Sequence, residues 1–423
     1  MTRRSASLNI FQKTVRLWDT LHPYNAAQAM ELAGDFSSDA VATAFNAAVR
    51  DLGLGVFVCT GSRYAIETLT HDIEIVRPTI DFAGHMTAEM NRPFPADRSV
   101  PFRPFDMTDD GRRIVGLTYQ HWVADSLSIR LLMRQWLRWL TGDGGLCPVR
   151  LPSAGLLRAF GPSASGWSVI GHTTAALAQT SRMKRMRRME PKRDTAVAVI
   201  ARDGENGLIE AVKARAKSVG ATVGDVLLAA GAVACDAEGP TRPTTRRPDL
   251  SMGTIVDLRA RSRKGDENVF GFYLGFTSTP YRAAELRTFD GALARTRRER
   301  LTSAARKSAE ASQVNLALGY VIGRAIGPTR LSEFYRKRFA LSGGLSSVNM
   351  SPGWAGAFHP TPLAAYRRVS PTGPMLPLVM TPTTLGPTLQ VCCTYRSALI
   401  DHDRAGRLMD AYFDTLRDYA ERG

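Results

Sequence analysis

The chain is poor in cysteine, and its few cysteines suit neither cross-linking nor metal binding. Cys59, Cys147, Cys235, Cys392 and Cys393 are odd in number, scattered, and lack the close pairing that zinc sites use. On a strand, the adjacent Cys392 and Cys393 point to opposite faces. All five are expected to be reduced thiols, no metal site is expected, and the expected location is cytoplasmic. Long hydrophobic runs are also missing. Met1 to Leu8 holds no apolar segment of signal-peptide length, and the apolar run near Val223 to Cys235 falls short of a membrane span. No glycine-rich loop of the kind that cradles phosphates occurs. Acidic residues are outnumbered, 39 against 55 Lys and Arg, for a net charge of +16. The basic residues are spread along the chain rather than interleaved with aromatics, which argues against a dedicated nucleic-acid domain. The charge suits an acidic protein, a phosphorylated cofactor, peripheral contact with an anionic membrane, or simply a solvated basic surface.

With 423 residues, 44% of them apolar and 22% charged, the chain has the composition of a folded protein with two large domains. The first half reads as a helix around Phe11 to Leu21 and a strand or short helix over Ala26 to Leu32. A capped helix over Val41 to Leu52 follows, then short strands at Val56–Cys59, Tyr64–Ile66 and Ile73–Val76. Prolines between 84 and 112 suggest a surface path with one edge strand near Phe102 to Phe105. Residues 146–194 read as a basic interdomain linker, with an amphipathic segment over Trp167 to Thr180. The densest charge run, 182–193, alternates methionine with Arg and Lys. It reads as a solvated linker in preference to a membrane-surface or docking segment. From 195 onward strands and helices resume. Among them are a strand at Ala196–Ile200, helices over Leu208–Val219 and Val226–Cys235 with capping-box spacing at Thr222 to Asp225, and a strand at Met252–Val256. A glycine-containing segment over Asn268–Phe276, a helix over about Ala283–Lys307, strands at Leu345–Met350, Leu376–Thr381 and Thr388–Tyr395, and a closing helix over Arg404–Tyr419 complete the half. Each half, 1–145 and 195–423, therefore reads as a layered α/β domain.

One stretch invites chemistry. In Ile114 to Gln120, strand geometry puts Val115, Leu117, Tyr119 and then His121 on one face, with the histidine at the carboxyl end. Asp125 comes four residues later, and Ser126 suits the N-cap of a helix carrying Ile129, Leu132, Met133, Trp136, Leu137 and Leu140 on one side. Arg130, Arg134 and Arg138 form a separate basic stripe on it. A neutral imidazole near its usual pKa takes protons from hydroxyls, amines or thiols. Two roles stay open for Asp125: orienting the ring, or pairing with a distant cation to lock the loop.

The order of features resembles the condensation-domain-like acyltransferase superfamily, which includes chloramphenicol acetyltransferase, nonribosomal peptide synthetase condensation domains, plant BAHD acyltransferases and wax ester synthases. Gln120-His121-Trp-Val-Ala-Asp125-Ser126 is similar to the family's His-His-x-x-x-Asp-Gly signature. Asp19 to Asn25 with the helix after Gly34, Ala214 to Ala230, Val256 to Arg259 with its following glycine-containing strand, and Ser346 to Asn349 resemble its other landmarks in the same order. Gln120 and Ser126 depart from the signature.

The resemblance implies two chloramphenicol-acetyltransferase-like lobes, each a mixed sheet covered by helices, with a channel between them. It implies His121 as general base and Asp125 paired with Arg259 to hold the loop. The oxyanion donors expected are the Ser126 backbone N–H and polar side chains such as Ser347 and Asn349. No bound cofactor is implied. The co-substrate would be an acyl-coenzyme A or acyl carrier protein thioester, and the acceptor a small-molecule hydroxyl or amine. The alternative is a catalytically degenerate binding module that recruits an acidic carrier protein; a nucleic-acid or membrane-surface protein ranks last.

Overall fold

The computed structural model describes residues 4–142, 174, 183, 186–259, 269–354 and 363–422. Most of the 146–194 linker, including the amphipathic segment expected over Trp167–Thr180, lies outside them, as does Cys147.

Two large sheets carry the fold. The first runs Leu363–Val369, Asn25–Leu32, Arg112–Gln120, Phe102–Asp109, antiparallel throughout. The second runs Leu274–Tyr281, Leu250–Asp257, Gly343–Leu345, Leu378–Leu385, Thr388–Arg396, Val197–Asp203. Gly343–Leu345 is parallel to both its neighbours, which makes this sheet mixed. A small sheet of Arg4–Ser7, Arg63–Glu67, Val56–Thr60 and Arg98–Ser99 flanks the first half. The ambiguous Ala26–Leu32 segment is a strand because it is central, hydrogen-bonded on both sides and almost wholly buried.

One strand breaks the division into halves. Leu363–Val369 comes late in the chain but pairs with Asn25–Leu32, Arg368 facing Gln28 across the ladder. The first sheet is therefore completed by the second half.

Helices cover the sheets where capping side chains start them. Asn9 and Gln12 form a capping box on Ile10–Asp19, Ser37 caps Ser38–Asp51, and Thr222 with Asp225 forms the expected box on Val223–Ala237. In the first half, Ser38–Asp51 packs on Ser126–Leu140 through Phe45 and Trp136, whose rings meet edge to face at 4.7 Å. The second half contributes to the same core: Trp18 packs edge-on against Tyr335 at 5.7 Å, and Phe11 lies 4.5 Å from Phe272. Gly116 lies where the sheet is tightest; a Cβ there would come within 2.6 Å of the Gln28 carbonyl oxygen and of the Phe105 ring.

Several local expectations change. Phe82–Asn91 is a helix capped by Asp81, not a surface path; the prolines at 93, 95, 101 and 104 all follow it, and Phe82, Met86 and Met90 are its buried face. Of Ile73–Val76, only Val76 joins a sheet, by a single bridge to Phe105. The strand expected over Asn268–Phe276 starts at Leu274, because residues 270–273 wrap the Asp125 loop instead. The long helix expected from Ala283 begins at Phe289, after a 3₁₀ turn at Glu285–Arg287. Within the basic run, Met183, Met186 and Met189 are buried, and the nearly buried Arg187 pairs with Asp236 at 2.7 Å. Those methionines pack into the protein and offer no apolar face to a membrane. Among the described residues, no single helix is long and apolar enough to cross one.

Candidate active site

The Arg112–Gln120 strand ends at the junction of the halves and passes His121 into a loop. Backbone contacts fix that loop at both ends. The His121 N–H donates to the Tyr24 carbonyl at 3.0 Å, and the Asp125 N–H donates to the Gly271 carbonyl at 2.9 Å. Asp125, not Ser126, is the N-cap: its Oδ1 accepts from the Ser128 N–H at 3.0 Å, and Ser126 is the first helical residue. A carboxylate is the better cap here because it also serves an ion pair.

That ion pair is buried. Asp125 is 0% exposed and Arg259 2%; Nη1 meets Oδ2 at 2.7 Å and Nη2 meets Oδ1 at 2.9 Å. The Tyr273 N–H adds a bond to Oδ2 at 2.9 Å. Burial pushes the Asp125 carboxyl up, but the Arg259 charge and these hydrogen bonds outweigh it and hold the group below its usual value. Both oxygens are thus committed to partners other than His121, so the structure places Asp125 as a clamp between halves.

The His121 ring is oriented without a carboxylate. Nδ1 lies 2.9 Å from the Ala124 carbonyl oxygen. A carbonyl only accepts, so Nδ1 carries the proton and Nε2 keeps its lone pair. Tyr24 stacks on the ring at 5.7 Å, and Tyr119 and Phe272 pack at 5.5 and 5.1 Å. Burial among these aromatics lowers its pKa to about 4. The imidazole is therefore neutral at pH 7.

His121 lines a cavity of about 210 Å³ with walls from both halves. Ser126, Ser346 and Ser347 line it too. Asn349 does not: its Oδ1 accepts from the Ser351 N–H at 3.0 Å, at the start of a short helix. Gln120, in the place of the signature's first histidine, donates to the half-buried Asp19 carboxylate at 2.9 Å.

Three further residues of this site are not legible as site residues in the sequence. Gln28 donates to the Ser126 carbonyl at 3.0 Å and to its Oγ at 3.2 Å, and accepts from the Tyr366 hydroxyl. Arg368, 2% exposed, donates to Ser126 Oγ at 3.2 Å, to Thr383 Oγ1 at 3.1 Å and to the Ser346 carbonyl. Arg130 leaves the expected basic stripe and lines the cavity, its Nε donating to the Ser126 carbonyl at 3.3 Å. The bulk that serine adds at position 126 is thus tied into the wall by Gln28 and Arg368.

Comparison with solved structures gives a consistent result. The condensation domain of the Monacolin K polyketide synthase MokA superposes with a TM-score of 0.64 at 13% identity, over 100% of this chain and 98% of that one. The fold is that of a condensation domain. The first condensation domain of the calcium-dependent antibiotic synthetase, in complex with a substrate analogue, gives 0.69 at 17% identity over 99% and 97%. The cyclization-docking bidomain EpoB from Sorangium cellulosum gives 0.72 at 15% identity over 99% and 85%. An X-domain solved in complex with OxyB from teicoplanin biosynthesis gives 0.60 at 16% over 100% and 95%. No protein-family model and no curated relative matches the chain. The condensation-domain-like fold, with its two chloramphenicol-acetyltransferase-like lobes, is what the resemblance in the sequence implied.

Proposed function

We propose that the protein transfers an acyl group from a thioester, carried by coenzyme A or a carrier protein, to a hydroxyl or amine acceptor. The observation that carries this reading is the His121 ring at the cavity wall, its Nδ1 pinned to the Ala124 carbonyl so that Nε2 is the free base. Nε2 takes the acceptor's proton as its oxygen or nitrogen attacks the thioester carbonyl. The tetrahedral adduct collapses by breaking the carbon–sulfur bond, and the imidazolium returns the proton to the departing thiolate. The cavity aligns the two reactants. Candidate donors to the oxyanion are the Ser126 N–H, one of the helix's first N–H groups, and the Ser347 hydroxyl. Asp125 and Arg259 take no part in proton transfer; they fix the loop that carries His121.

The test is thiol release from a panel of acyl-coenzyme A and carrier-bound thioesters with mixed hydroxyl and amine acceptors. The expected result is turnover that His121→Ala abolishes; no release from any donor would overturn the reading.

A second reading is a degenerate module that binds a carrier or partner without turnover. Gln120 and Ser126 in place of the signature residues favour it, and the X-domain solved in complex with OxyB is a protein of this fold seen in a partner complex. Carrier binding that survives His121→Ala, with no thiol release by the unaltered protein, would select it.

A further inference from the structure

Two cations lining the cavity have no ion-pair partner among the described residues, although the Asp125 and Asp257 charges act on Arg130 from beyond ion-pair distance. Among the described residues, neither Arg130 nor Arg368 has a carboxylate within ion-pair distance. Arg130 reaches only the Ser126 carbonyl and, at 3.8 Å, the Met350 sulfur. Arg368 is held by neutral oxygens of Ser126, Ser346 and Thr383. Its neighbour on the same strand shows the ordinary solution: Arg367, on the opposite face, pairs with Asp203 at 2.7 Å and Glu31 at 3.1 Å. The other charged group lining the cavity, Asp257, is 43% exposed and bonded to Arg259 at 3.2 Å. Burying a guanidinium against neutral dipoles alone is unfavourable unless something else supplies the anion. Burial, with the Arg130 charge beside it, lowers the Arg368 pKa to about 10, so it remains a cation at neutral pH.

We infer that the cavity takes a substrate bearing a carboxylate, seated between Arg130 and Arg368 beside Ser126. The inference rests on the acyl-transfer reading of the site and names its substrate class. A planar guanidinium fork matches a carboxylate in shape and charge, and its hydrogen bonds to one are stronger than those to neutral oxygens. The carboxylate can enter on the acyl chain, as the far end of a dicarboxylic monothioester, or on the acceptor, as a hydroxy or amino acid.

Calorimetric titration of the full His121→Gln chain, which cannot consume its ligands by base catalysis, separates the sources. One arm compares S-glutaryl- with S-pentanoyl-N-acetylcysteamine; the other compares lactate with methyl lactate; inorganic phosphate is titrated alone. In one arm the carboxylate should bind at least about ten-fold more tightly than its neutral partner, as expected for charge-assisted bonds. Arg130→Gln and Arg368→Gln should each erase most of that ratio without weakening the neutral probe. Arg130 is only partly buried, so its variant carries the test even where Arg368→Gln fails to fold. Equal binding of neutral and anionic probes in both arms would overturn the inference. So would a preference that survives the arginine substitutions, or Arg-dependent binding of phosphate without preference for a carboxylate. A carboxylate preference without thiol release by the unaltered protein leaves this site standing and removes acyl transfer; release from neutral thioesters with no preference does the reverse.

Discussion

Replacing Arg259 by Met tests the clamp on the His121 loop. The substitution leaves Asp125 fully buried with two backbone N–H donors and no cation. Stranding one charge of a buried pair costs about 3–5 kcal/mol, several times what an exposed pair is worth. The pH dependence identifies the mechanism. In the unaltered protein the Asp125 pKa lies below its ordinary 3.8, so its stabilising contribution is full above that value and is lost only as the pH falls through the lower folded pKa. In Arg259→Met, burial is opposed only by the two N–H bonds and the unpaired Arg130 charge, and the folded pKa rises above 3.8. Asp125 then destabilises the fold increasingly as the pH climbs from 3.8 toward the raised value, by about 1.4 kcal/mol per pH unit. Urea unfolding of both proteins at pH 7 and pH 5 should show a deficit that shrinks at the lower pH. Adding Asp125→Asn to Arg259→Met should recover stability at pH 7. A deficit below about 1 kcal/mol, the range of surface pairs, or one equal at both pH values would refute the argument.

His121→Gln should lower thiol release by about two orders of magnitude or more with an unchanged circular-dichroism spectrum, the usual loss for removing a general base. Because burial lowers the His121 pKa to about 4, the rate should show no drop centred near 6.5 as pH is lowered from 7; stopped-flow thiol detection across pH 5–8 would reveal one. The same shift makes the folded state bind fewer protons than the unfolded one. Stability from His121 is therefore full above 6.5 and declines as pH falls toward 4, by roughly 3 kcal/mol in all, measurable as a falling urea midpoint that His121→Gln flattens. Gly116→Ala should destabilise by about 1–3 kcal/mol through overpacking against the Gln28 carbonyl and Phe105, read by thermal melting.

The parts of the structure that were legible in the sequence are those with local rules. The His121 strand, the helix after it, the Thr222 capping box and the closing helix follow from periodicity and end signals. The glycine-containing segment also has a local reason: at Gly275 a Cβ would sit 2.3 Å from the Ala309 carbonyl oxygen. What was not legible depends on partners far away in the chain. Leu363–Val369 has charged residues at 367 and 368, so neither alternation nor an apolar run marks it as a strand; both arginines are buried for different reasons, one ion-paired and one facing the cavity. Arg130 has the same helical spacing as Arg134 and Arg138, and only the fold shows that it lines the cavity. Sequence spacing puts the cap one residue late, at Ser126, because serine and aspartate are equally good N-caps, and only the Gly271 and Arg259 contacts separate them.

The late strand that pairs with Asn25–Leu32 has a consequence for how the molecule comes apart. Severed near residue 195, the first piece would present Asn25–Leu32 as a long bare edge, open to pairing with another copy of itself. The first piece would lack one strand of its large sheet, and neither piece would hold a finished cavity. Heating should therefore melt both lobes in a single calorimetric transition, and co-expressed fragments should reassemble only when the later one still carries Leu363–Val369.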